Sequence, residues 1–451
     1  MIDAGPDLLA IGDKIVGWAS GDEQVEVVVG RSRDTEIRAY EGEIEQLSSA
    51  ETQGVGIRVI RDHKQGFAYA GTLDDDVLAE TLAEARDNAS FGTPDEALGV
   101  AEPDGHPVPE LDLFRAGLAD VPTDRKVEMA IELERAVRAA DKRISGIESC
   151  DYVDAMAESA VVTNTGIRTI SRETACYVMA WVLAEEGDET QTGFGFSVGR
   201  EPDDIDVGRA AADAAVRATR MLGATKPPSA RTTVVLDPWV TAQLLEIIGG
   251  PLSGEAVLKG RSMFADRIGE EVASGLFTLV DDPTNPLAFT AGETDGEGLA
   301  SRRNVLIDGG VLKGFVHNTY TARRMGTSST GSAVRGGFKS VPGVGCRAIM
   351  LTPGTKTQAE LVAEVGDGVL VQSVSGLHSG VNPVSGDFST GAEGLRITGG
   401  EVGAPLREFT VASTLQRMLK DVSAVGGDLE WLPMSAAGVS LVIHDVTVSG
   451  G

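Results

Sequence analysis

The five histidines are the first candidates for chemistry in this sequence, because imidazole is a common ligand of zinc. No two of them are close enough in sequence to share one face of a helix. A zinc ion takes three or four N, S or O ligands at about 2.0 to 2.3 Å, so a site would have to be assembled from distant positions. One such set stays open in the second half of the chain, namely His317, His378 and Asp387.

Two other histidines have structural explanations. His63 stands in the polar stretch Arg61-Asp62-His63-Lys64, which predicts a solvated turn between two strands. His444 alternates with Val442 and Val446, and this alternation predicts a histidine packed in a core strand.

Residues 195–199 fit the pattern G-x-S-x-G around Ser197. A nucleophile elbow requires a strand, a sharp turn and a helix that begins directly after the serine. Here the polar, proline-containing residues 200–204 follow instead. We therefore interpret the segment as a glycine-rich loop. No G-K-[ST] phosphate-binding loop occurs in the chain.

The segment from Leu377 to Ser389 combines small, polar and glycine residues between two β-rich runs. Such a stretch allows another backbone to approach closely. Two interpretations stay open: a tight loop with an Asx-type turn, or one wall of a peptide groove. The groove interpretation rests on the following residues: His378, Asn382, Gly386, Asp387 and Phe388.

The elements that would position these residues fall into two halves. In the first half, residues 23–72 and 157–198 predict strands, residues 92–123 predict a long surface loop, and three helices are predicted. One helix is indicated by the four- and three-residue spacing of Leu78, Leu82, Ala85 and Ala89, another spans about 124–140, and the third runs from its cap Asp206 to about residue 221. The two prolines within residues 225–229 indicate a linker.

The second half opens with a strand, residues 232–236, and with a helix that Asp237-Pro238 begins and Gly249-Gly250 ends. Hairpins are predicted around residues 308–310 and 399–400, a helix over 412–422 and a last strand over 441–448. Strands cluster rather than alternate with helices, so we predict an α+β fold in both halves. The predicted domains are residues 1–224 and a β-rich domain at 230–451.

Charge and cysteine content exclude several classes of function. The net charge is −29, and a surface this negative repels nucleic acid and anionic lipid. The three cysteines are far apart and show no C-x-x-C spacing, which argues against a disulfide framework and for a reducing compartment. The first 20 residues lack the basic and apolar regions of a signal peptide, and no apolar stretch is long enough to span a bilayer. We therefore expect a cytoplasmic protein.

Four motifs in order along the chain resemble the TldD/PmbA family. They are residues 54–59 (GVGIRV), 65–68 (QGFA), 302–312 (RRNVLIDGGVL) and 382–388 (NPVSGDF). The resemblance implies a two-domain subunit of an intracellular peptidase. TldD-type members carry H-E-x-x-x-H on a helix, where two histidines bind zinc and the glutamate acts as general base; a cysteine near the C-terminus completes the ligands. PmbA-type (TldE) members lack this set and pair with a TldD-type subunit.

The position-by-position comparison places the active-site helix of TldD at residues 245–255 of this chain. The glutamate is present as Glu246, but the two histidine positions are Leu245 and Gly250. Residues 421–430 contain no cysteine. Leucine and glycine have no side-chain ligand atom, so the resemblance implies no catalytic residue and no zinc in this chain, and zinc in the partner subunit.

Three hypotheses follow for function. The first is a non-catalytic subunit that holds unfolded peptide, by strand addition, for a zinc-bearing TldD-like partner. The second is a self-sufficient peptidase or other hydrolase with a different site around His378 and Asp387. The third is a peptide-binding or assembly factor without a proteolytic role. A neighbouring gene that encodes H-E-x-x-x-H would favour the first.

Overall fold

The computed structural model of the chain describes residues 7–450. Residues 1–6, which belong to the stretch without a signal-peptide pattern, lie outside the described residues. From Leu8 to Val16 the same stretch forms a helix that the pattern analysis did not predict. Asp7 caps this helix by accepting hydrogen bonds from the backbone N–H groups of Leu9 and Ala10.

The N-terminal part, residues 7–224, is built on one sheet and four helices. Its strands are β1 (Gln24–Tyr40), β2 (Glu43–Arg61), β3 (Lys64–Ala70), β4 (Ile144–Thr163), β5 (Arg168–Glu186) and β6 (Glu189–Gly199). Its helices are α1 (Leu8–Val16), α2 (Asp75–Phe91), α3 (Thr123–Ala140) and α4 (Val207–Thr219), with 3-10 turns at Ala116–Asp120 and Pro202–Asp204. The strand order is β3-β2-β1-β4-β5-β6, and every neighbouring pair is antiparallel.

Local signals account for several of these elements. Asp62 and His63 form the two-residue turn between β2 and β3 with φ values of 52° and 59°, the conformation that a tight hairpin needs. The four spaced apolar residues of α2 are all buried. Asp206 caps α4 by accepting from the N–H of Arg209 at 2.8 Å. These predictions are confirmed. The sequence was sufficient for them because each depends on only a few neighbouring residues.

The C-terminal part, residues 230–450, is richer in strands. Its strands are β7 (Ala230–Leu236), β8 (Leu279–Asp281), β9 (Asn304–Asp308), β10 (Val311–Leu312), β11 (Ala333–Val334), β12 (Gly343–Val344), β13 (Ile349–Leu351), β14 (Gly368–Ser375), β15 (Asp387–Thr398), β16 (Glu401–Thr414), β17 (Val422–Val425), β18 (Glu430–Trp431), β19 (Ala437–Gly438) and β20 (Leu441–Ser449). Its helices are α5 (Pro238–Gly249), α6 (Gly254–Leu258), α7 (Thr319–Met325), α8 (Gln358–Val365), α9 (Leu377–Gly380) and α10 (Leu415–Lys420), with 3-10 turns at Gly250–Leu252 and Gly337–Lys339.

The main C-terminal sheet has the order β16-β15-β14-β7-β20-β17, and β16 also pairs with β20. Five strands therefore close into a ring, with β17 attached outside it. Apolar side chains of these strands, such as Leu236, Val371 and Phe409, belong to the largest hydrophobic cluster. The α+β class predicted from the sequence is confirmed.

Two predictions about the elements are wrong. Residues 195–199 form the end of strand β6 rather than a loop, and the hydroxyl of Ser197 accepts from the N–H of Asp206 at 2.9 Å. The helix predicted over 412–422 is limited to α10, because residues 410–412 continue β16 and pair with β20. The hairpin around residues 308–310 is confirmed, and its second strand, β10, has two residues.

His444 is also placed differently from the prediction. A bulge interrupts the pairing of β20 with β7 between Ile443 and Val446, and Asp445 adopts a φ of 56°. The extra residue turns the imidazole away from the core, so His444 is exposed, and its Nδ1 lies 2.9 Å from the hydroxyl of Thr233. Alternation alone cannot reveal a bulge.

Between residues 7 and 450, none of the helices combines the length and the apolar character needed to cross a bilayer. The last strand of the N-terminal sheet ends at Gly199, and the first strand of the C-terminal part begins at Ala230. The division into two domains at residues 225–229 stays a prediction.

Candidate functional site

A cleft of about 680 Å³ lies between the N-terminal sheet and loops of the C-terminal part. Strands β1, β4 and β5 contribute Arg31, Glu158 and Glu173 to one wall. The opposite wall comes from residues 289–296 and 333–347. A volume of this size is typical of sites that enclose small ligands or short peptide segments.

Phe338 fixes the position of the C-terminal wall against the sheet. Its ring and backbone pack directly over Gly54 and Gly56 of β2: a Cβ at Gly56 would approach the carbonyl oxygen of Phe338 to 2.0 Å. Gly30, the cross-strand partner of Gly54, lies under the same ring. The GVG motif that supports the family resemblance therefore has a packing reason, since only glycine lets the two parts approach this closely.

A buried network of four charges also joins the two parts beside the cleft. Arg58 donates to Glu26 at 2.7 and 3.1 Å and lies 3.9 Å from Glu297. Arg335, which lines the cleft, forms an ion pair with Glu26 across the interface. Burial favours the neutral form of Glu26, but Arg335 and Arg58 outweigh it and lower its pKa below the ordinary value. Two acids and two arginines balance each other, as buried charges require.

Asp295 is the acidic group on the C-terminal wall. Its carboxylate accepts hydrogen bonds from the backbone N–H groups of Glu297, Leu299 and Ala333, at 2.9, 3.0 and 3.0 Å. Burial, together with the neighbouring charge of Glu297, raises the pKa of Asp295 to about 7. The backbone already occupies three of about four acceptor positions of the carboxylate, so Asp295 mainly shapes the loop.

Helix α5 carries the three motif positions Leu245, Glu246 and Gly250. Asp237 caps the helix, and Trp239 in its first turn packs on Phe194 and Phe196 of β6, with ring centroids 4.7 and 5.4 Å apart. Leu245 is fully buried in the main hydrophobic cluster.

The other two motif positions lie on the exposed side of α5. Glu246 accepts from the backbone N–H of Ser435 at 3.0 Å and from its hydroxyl at 2.6 Å. A Cβ at Gly250 would meet no atom within 4 Å. The three residues therefore differ in environment: one belongs to the core, one is hydrogen-bonded locally, and one faces open space.

A second cavity of about 200 Å³ adjoins this face of the helix, and Glu246, Gly250, Cys346 and Ser435 contribute to its lining. Cys346 and Ser435 also line the large cleft, so the two spaces share a boundary. Burial raises the pKa of the Cys346 thiol well above its ordinary value, which keeps the sulfur protonated at neutral pH.

These residues do not fit a zinc ion. Leu245 points into the core, Gly250 has no side chain, and only Glu246 and a protonated Cys346 offer ligand atoms at this cavity. Within residues 7–450, no three His, Cys, Asp or Glu side chains are grouped so that they could hold a metal ion. The chemistry of the donor set therefore disagrees with a zinc mechanism in this chain.

The predicted groove residues lie elsewhere in the C-terminal part. Asn382 accepts from the N–H groups of Val384 and Ser385 at 2.9 and 3.2 Å, which is an Asx turn, and Gly386 has a φ of 85°. His378 and Asp387 are exposed, whereas Gly386 and Phe388 are buried. None of the five predicted groove residues lines the large cleft, and their role in peptide binding stays a prediction.

The alternative hydrolytic and metal sites receive no geometric support. The hydroxyl of Ser385 donates to Asp387 at 2.7 Å rather than to His378, so a nucleophile-base pair is not formed. His317 is buried, its Nδ1 lies 3.2 Å from the hydroxyl of Thr321, and burial lowers its pKa. The set of His317, His378 and Asp387 is not brought together as a metal site.

Sequence reasoning missed the residues that form the cleft. Arg200 and Arg347 line it, together with Arg31 and Arg335. No local pattern marks these four arginines, because they come from distant elements and meet only in the folded chain. The only usable signal was the GVG motif, since a pair of strand glycines indicates that another backbone approaches closely.

Comparison with protein-family models gives three matches along the chain. Residues 25–89 match PmbA/TldA metallopeptidase domain 1, residues 117–222 match the PmbA/TldA metallopeptidase central domain, and residues 229–450 match the PmbA/TldA metallopeptidase C-terminal domain.

Individual proteins are similar over almost the whole length. Metalloprotease PmbA of Escherichia coli O157:H7 is 26% identical over 438 residues, which cover 96% of this chain and 94% of that protein. A metalloprotease of Methanothermobacter thermautotrophicus is 28% identical over 417 residues, covering 90% and 88%. The crystal structure of TldE from Thermococcus kodakarensis superposes with a TM-score of 0.89 at 26% identity and covers 98% of this chain and 99% of that chain.

Proposed function

This chain belongs to the PmbA/TldD metallopeptidase family, and we propose that it is a non-catalytic subunit that holds unfolded peptide for a zinc-bearing, TldD-like partner in the cytoplasm. The observation that carries the proposal is the state of helix α5. Leu245 is buried in the core and Gly250 has no side chain, so the two histidine positions of the family motif offer no ligand.

The cleft supports the peptide-holding part of the proposal. It is partly open to solvent, and polar and charged groups from both parts of the chain contribute to its lining. Extended peptide binds well to such surfaces when backbone hydrogen bonds are available, since these require no particular sequence.

The free edge of strand β2 supplies such hydrogen bonds. Strand β3 pairs with β2 only from Val55 to Arg61. Within the described part of the chain, residues 43–53 of β2 therefore pair with β1 on one side and have no strand on the other. Thr52, on this free stretch, also lines the cleft. An added peptide strand along residues 43–53 would thus lead directly into it.

The fold kept around a degenerate motif supports the partnership. Asp237, Trp239 and Glu246 still hold α5 in place through hydrogen bonds and ring contacts, although the helix offers no metal site. The surface around helix α5 keeps its structure although it has no metal ligands, and such a surface suits an interface with a similar chain in a pseudo-symmetric pair. A stable interface of this kind should bury well over ~1,200 Å² in total.

Co-expression with a relative that carries H-E-x-x-x-H tests the proposal. We expect a hetero-oligomer by size-exclusion mass measurement and digestion of an unfolded protein by the complex only, with each chain alone as control. If the chain alone digests unfolded protein as fast as the mixture, it is an enzyme in its own right. If no complex forms and no peptide binds, the proposal is wrong in both respects.

A further inference from the structure

The four arginines of the cleft fall into two pairs with different surroundings. Arg31 donates to Glu158 at 2.6 Å, and Arg335 forms its ion pair with Glu26. Arg200 and Arg347 instead contact uncharged oxygen atoms. Among residues 7–450, neither of these two guanidinium groups has a carboxylate within ion-pair distance. Two positive charges in the same cleft are therefore left without a direct counter-charge.

The contacts of Arg200 and Arg347 leave most of their donors unused. Arg200 donates to the carbonyl oxygens of Thr174 and Ala288, at 3.0 and 3.1 Å. Arg347 donates to the carbonyl oxygen of Thr294 at 3.0 Å and to the hydroxyl of Ser301 at 2.9 Å. A guanidinium group has five N–H donors, so each arginine keeps about three for a ligand. The same contacts hold residues 288–294 between the two side chains, which restricts both guanidinium groups before a ligand arrives.

Glu173 is an acid of the cleft whose charge acts on both arginines. Its side chain is exposed to the cleft yet surrounded by protein, and this burial raises its pKa although Arg200 and Arg347 act in the opposite direction. No hydrogen bond to its carboxylate is found in residues 7–450. Glu173 is therefore a carboxylate without a hydrogen bond that acts on both guanidinium groups, whereas Asp281 and Asp295, which also act on Arg347, already accept backbone hydrogen bonds.

We propose that Arg200 and Arg347 bind a carboxylate group of the peptide held in the cleft, supplied either by its C-terminus or by an acidic side chain. This inference rests on the peptide-holding function proposed above. The planar guanidinium fork matches a carboxylate through paired, charge-assisted hydrogen bonds. The burial of both arginines, which lowers their pKa values, strengthens such bonds because solvent screens them less.

Fluorescence anisotropy of labelled, unstructured peptides with the full-length chain tests the proposal. Three peptides of otherwise equal sequence separate the two sources: a C-terminal free acid, the corresponding amide, and an amide with one internal glutamine replaced by glutamate. We expect the free acid, the glutamate peptide, or both to bind about tenfold tighter than the plain amide. The carboxylate-bearing peptide that gains affinity identifies the source.

Three variants connect the preference to the residues. R347Q should abolish most of the tenfold difference, and the exposed R261Q provides a matched control that should retain it. E173Q removes the competing charge without breaking a hydrogen bond, so it should tighten binding of the preferred peptide about threefold or more.

Two results would overturn the inference. Equal affinity for all three peptides, unchanged in R347Q and E173Q, would leave the peptide-holding function in place without a carboxylate subsite. The absence of binding by any peptide would remove both the subsite and the peptide-holding function. If R347Q does not fold, E173Q decides. Weaker or unchanged binding of the preferred peptide by E173Q would then contradict the proposal.

Discussion

The ring of Phe338 lies directly over Gly54, so that a Cβ at Gly54 would approach Cε2 of the ring to 2.3 Å and the carbonyl oxygen of Ala70 to 2.4 Å. The ring could shift, but the Ala70 carbonyl belongs to the neighbouring strand β3 and cannot move without disturbing the sheet. We therefore expect Gly54→Ala to lower the free energy of unfolding by about 1 to 3 kcal/mol.

Gly71→Ala is the matched control for this substitution. Gly71 follows β3, and a Cβ there would meet no atom within 4 Å. Its effect should stay within about 0.5 kcal/mol. Urea denaturation of both variants measures the difference, and equal stability of the two would show that the packing of Phe338 is not specific.

The buried charge network predicts a large effect at Arg58. Removal of this guanidinium in Arg58→Met leaves Glu297 buried without its positive neighbour and Glu26 with Arg335 alone. We expect a loss of about 3 to 5 kcal/mol, as for other buried pairs that lose one partner. The exposed pair Lys356–Glu364 supplies the control, and Lys356→Met should cost about 0 to 1 kcal/mol. Similar losses in the two variants would contradict this assignment.

Zinc content separates the two types of family member. After dialysis, the purified chain should hold no stoichiometric zinc by elemental analysis. Gly250→His should fold with some loss of stability, since a Cβ there has open space but the residue precedes Pro251, which disfavours the helical dihedral angles of this position. It should still bind no zinc because Leu245 is part of the core. One tightly held zinc per chain, lost on substitution of His317 or His378, would show that the metal site lies elsewhere.

Glu246 gives a test of the division of labour in the complex. Its carboxylate only accepts hydrogen bonds from Ser435, so Glu246→Ala should cost roughly 1 kcal/mol in stability and leave the peptidase activity of the complex within about twofold of its original value. The matching glutamate of the TldD-like partner should be essential in the same assay. Loss of activity on Glu246→Ala, in a complex that still assembles, would place catalysis in this chain.

The cysteines predict a specific pH dependence. All three are free, and burial raises the pKa of Cys150 and Cys176 to about 12 and that of Cys346 well above its usual range. The thiolate is the reactive form, so at pH 8 a group with a pKa of about 12 is roughly a thousandfold less ionised than a free thiol.

Thiol titration with a chromogenic disulfide measures this directly. The native chain should react at least about a hundredfold more slowly than the chain in urea, and the native rate should rise about tenfold per pH unit. Cys346 is the sensitive position because it lines both cavities. A thiol that reacts as fast in the native chain as in urea would contradict the effect of burial.

The parts of the structure that sequence predicted correctly depend on short-range signals. The spacing of Leu78, Leu82, Ala85 and Ala89 and the cap at Asp206 each involve one element, and so both could be recognised from neighbouring residues. The bulge beside His444 adds one residue to β20, so the following side chains change faces of the strand. A periodic pattern in the sequence does not reveal such an insertion. The cleft could not be predicted because its partners are distant: Arg335 and Glu26 are 309 positions apart.

The motif positions depend on a different kind of signal, and their role stays a prediction. Leu245 and Gly250 occupy positions that the family resemblance had identified in advance, so their side-chain types alone excluded the expected ligands. What the sequence could not give is the environment of each position, namely a core site for Leu245 and an open cavity for Gly250.

The contact of Phe338 with the strand glycines also limits how the chain can be recombined. Phe338 in the C-terminal part requires a residue without a side chain at Gly54 in the N-terminal part. The two positions are separated by more than half of the sequence. Chimeras that exchange residues 7–224 or 230–450 between relatives should assemble only when the aromatic residue and its glycines come from compatible parents. We therefore expect that neither part is an independently replaceable module.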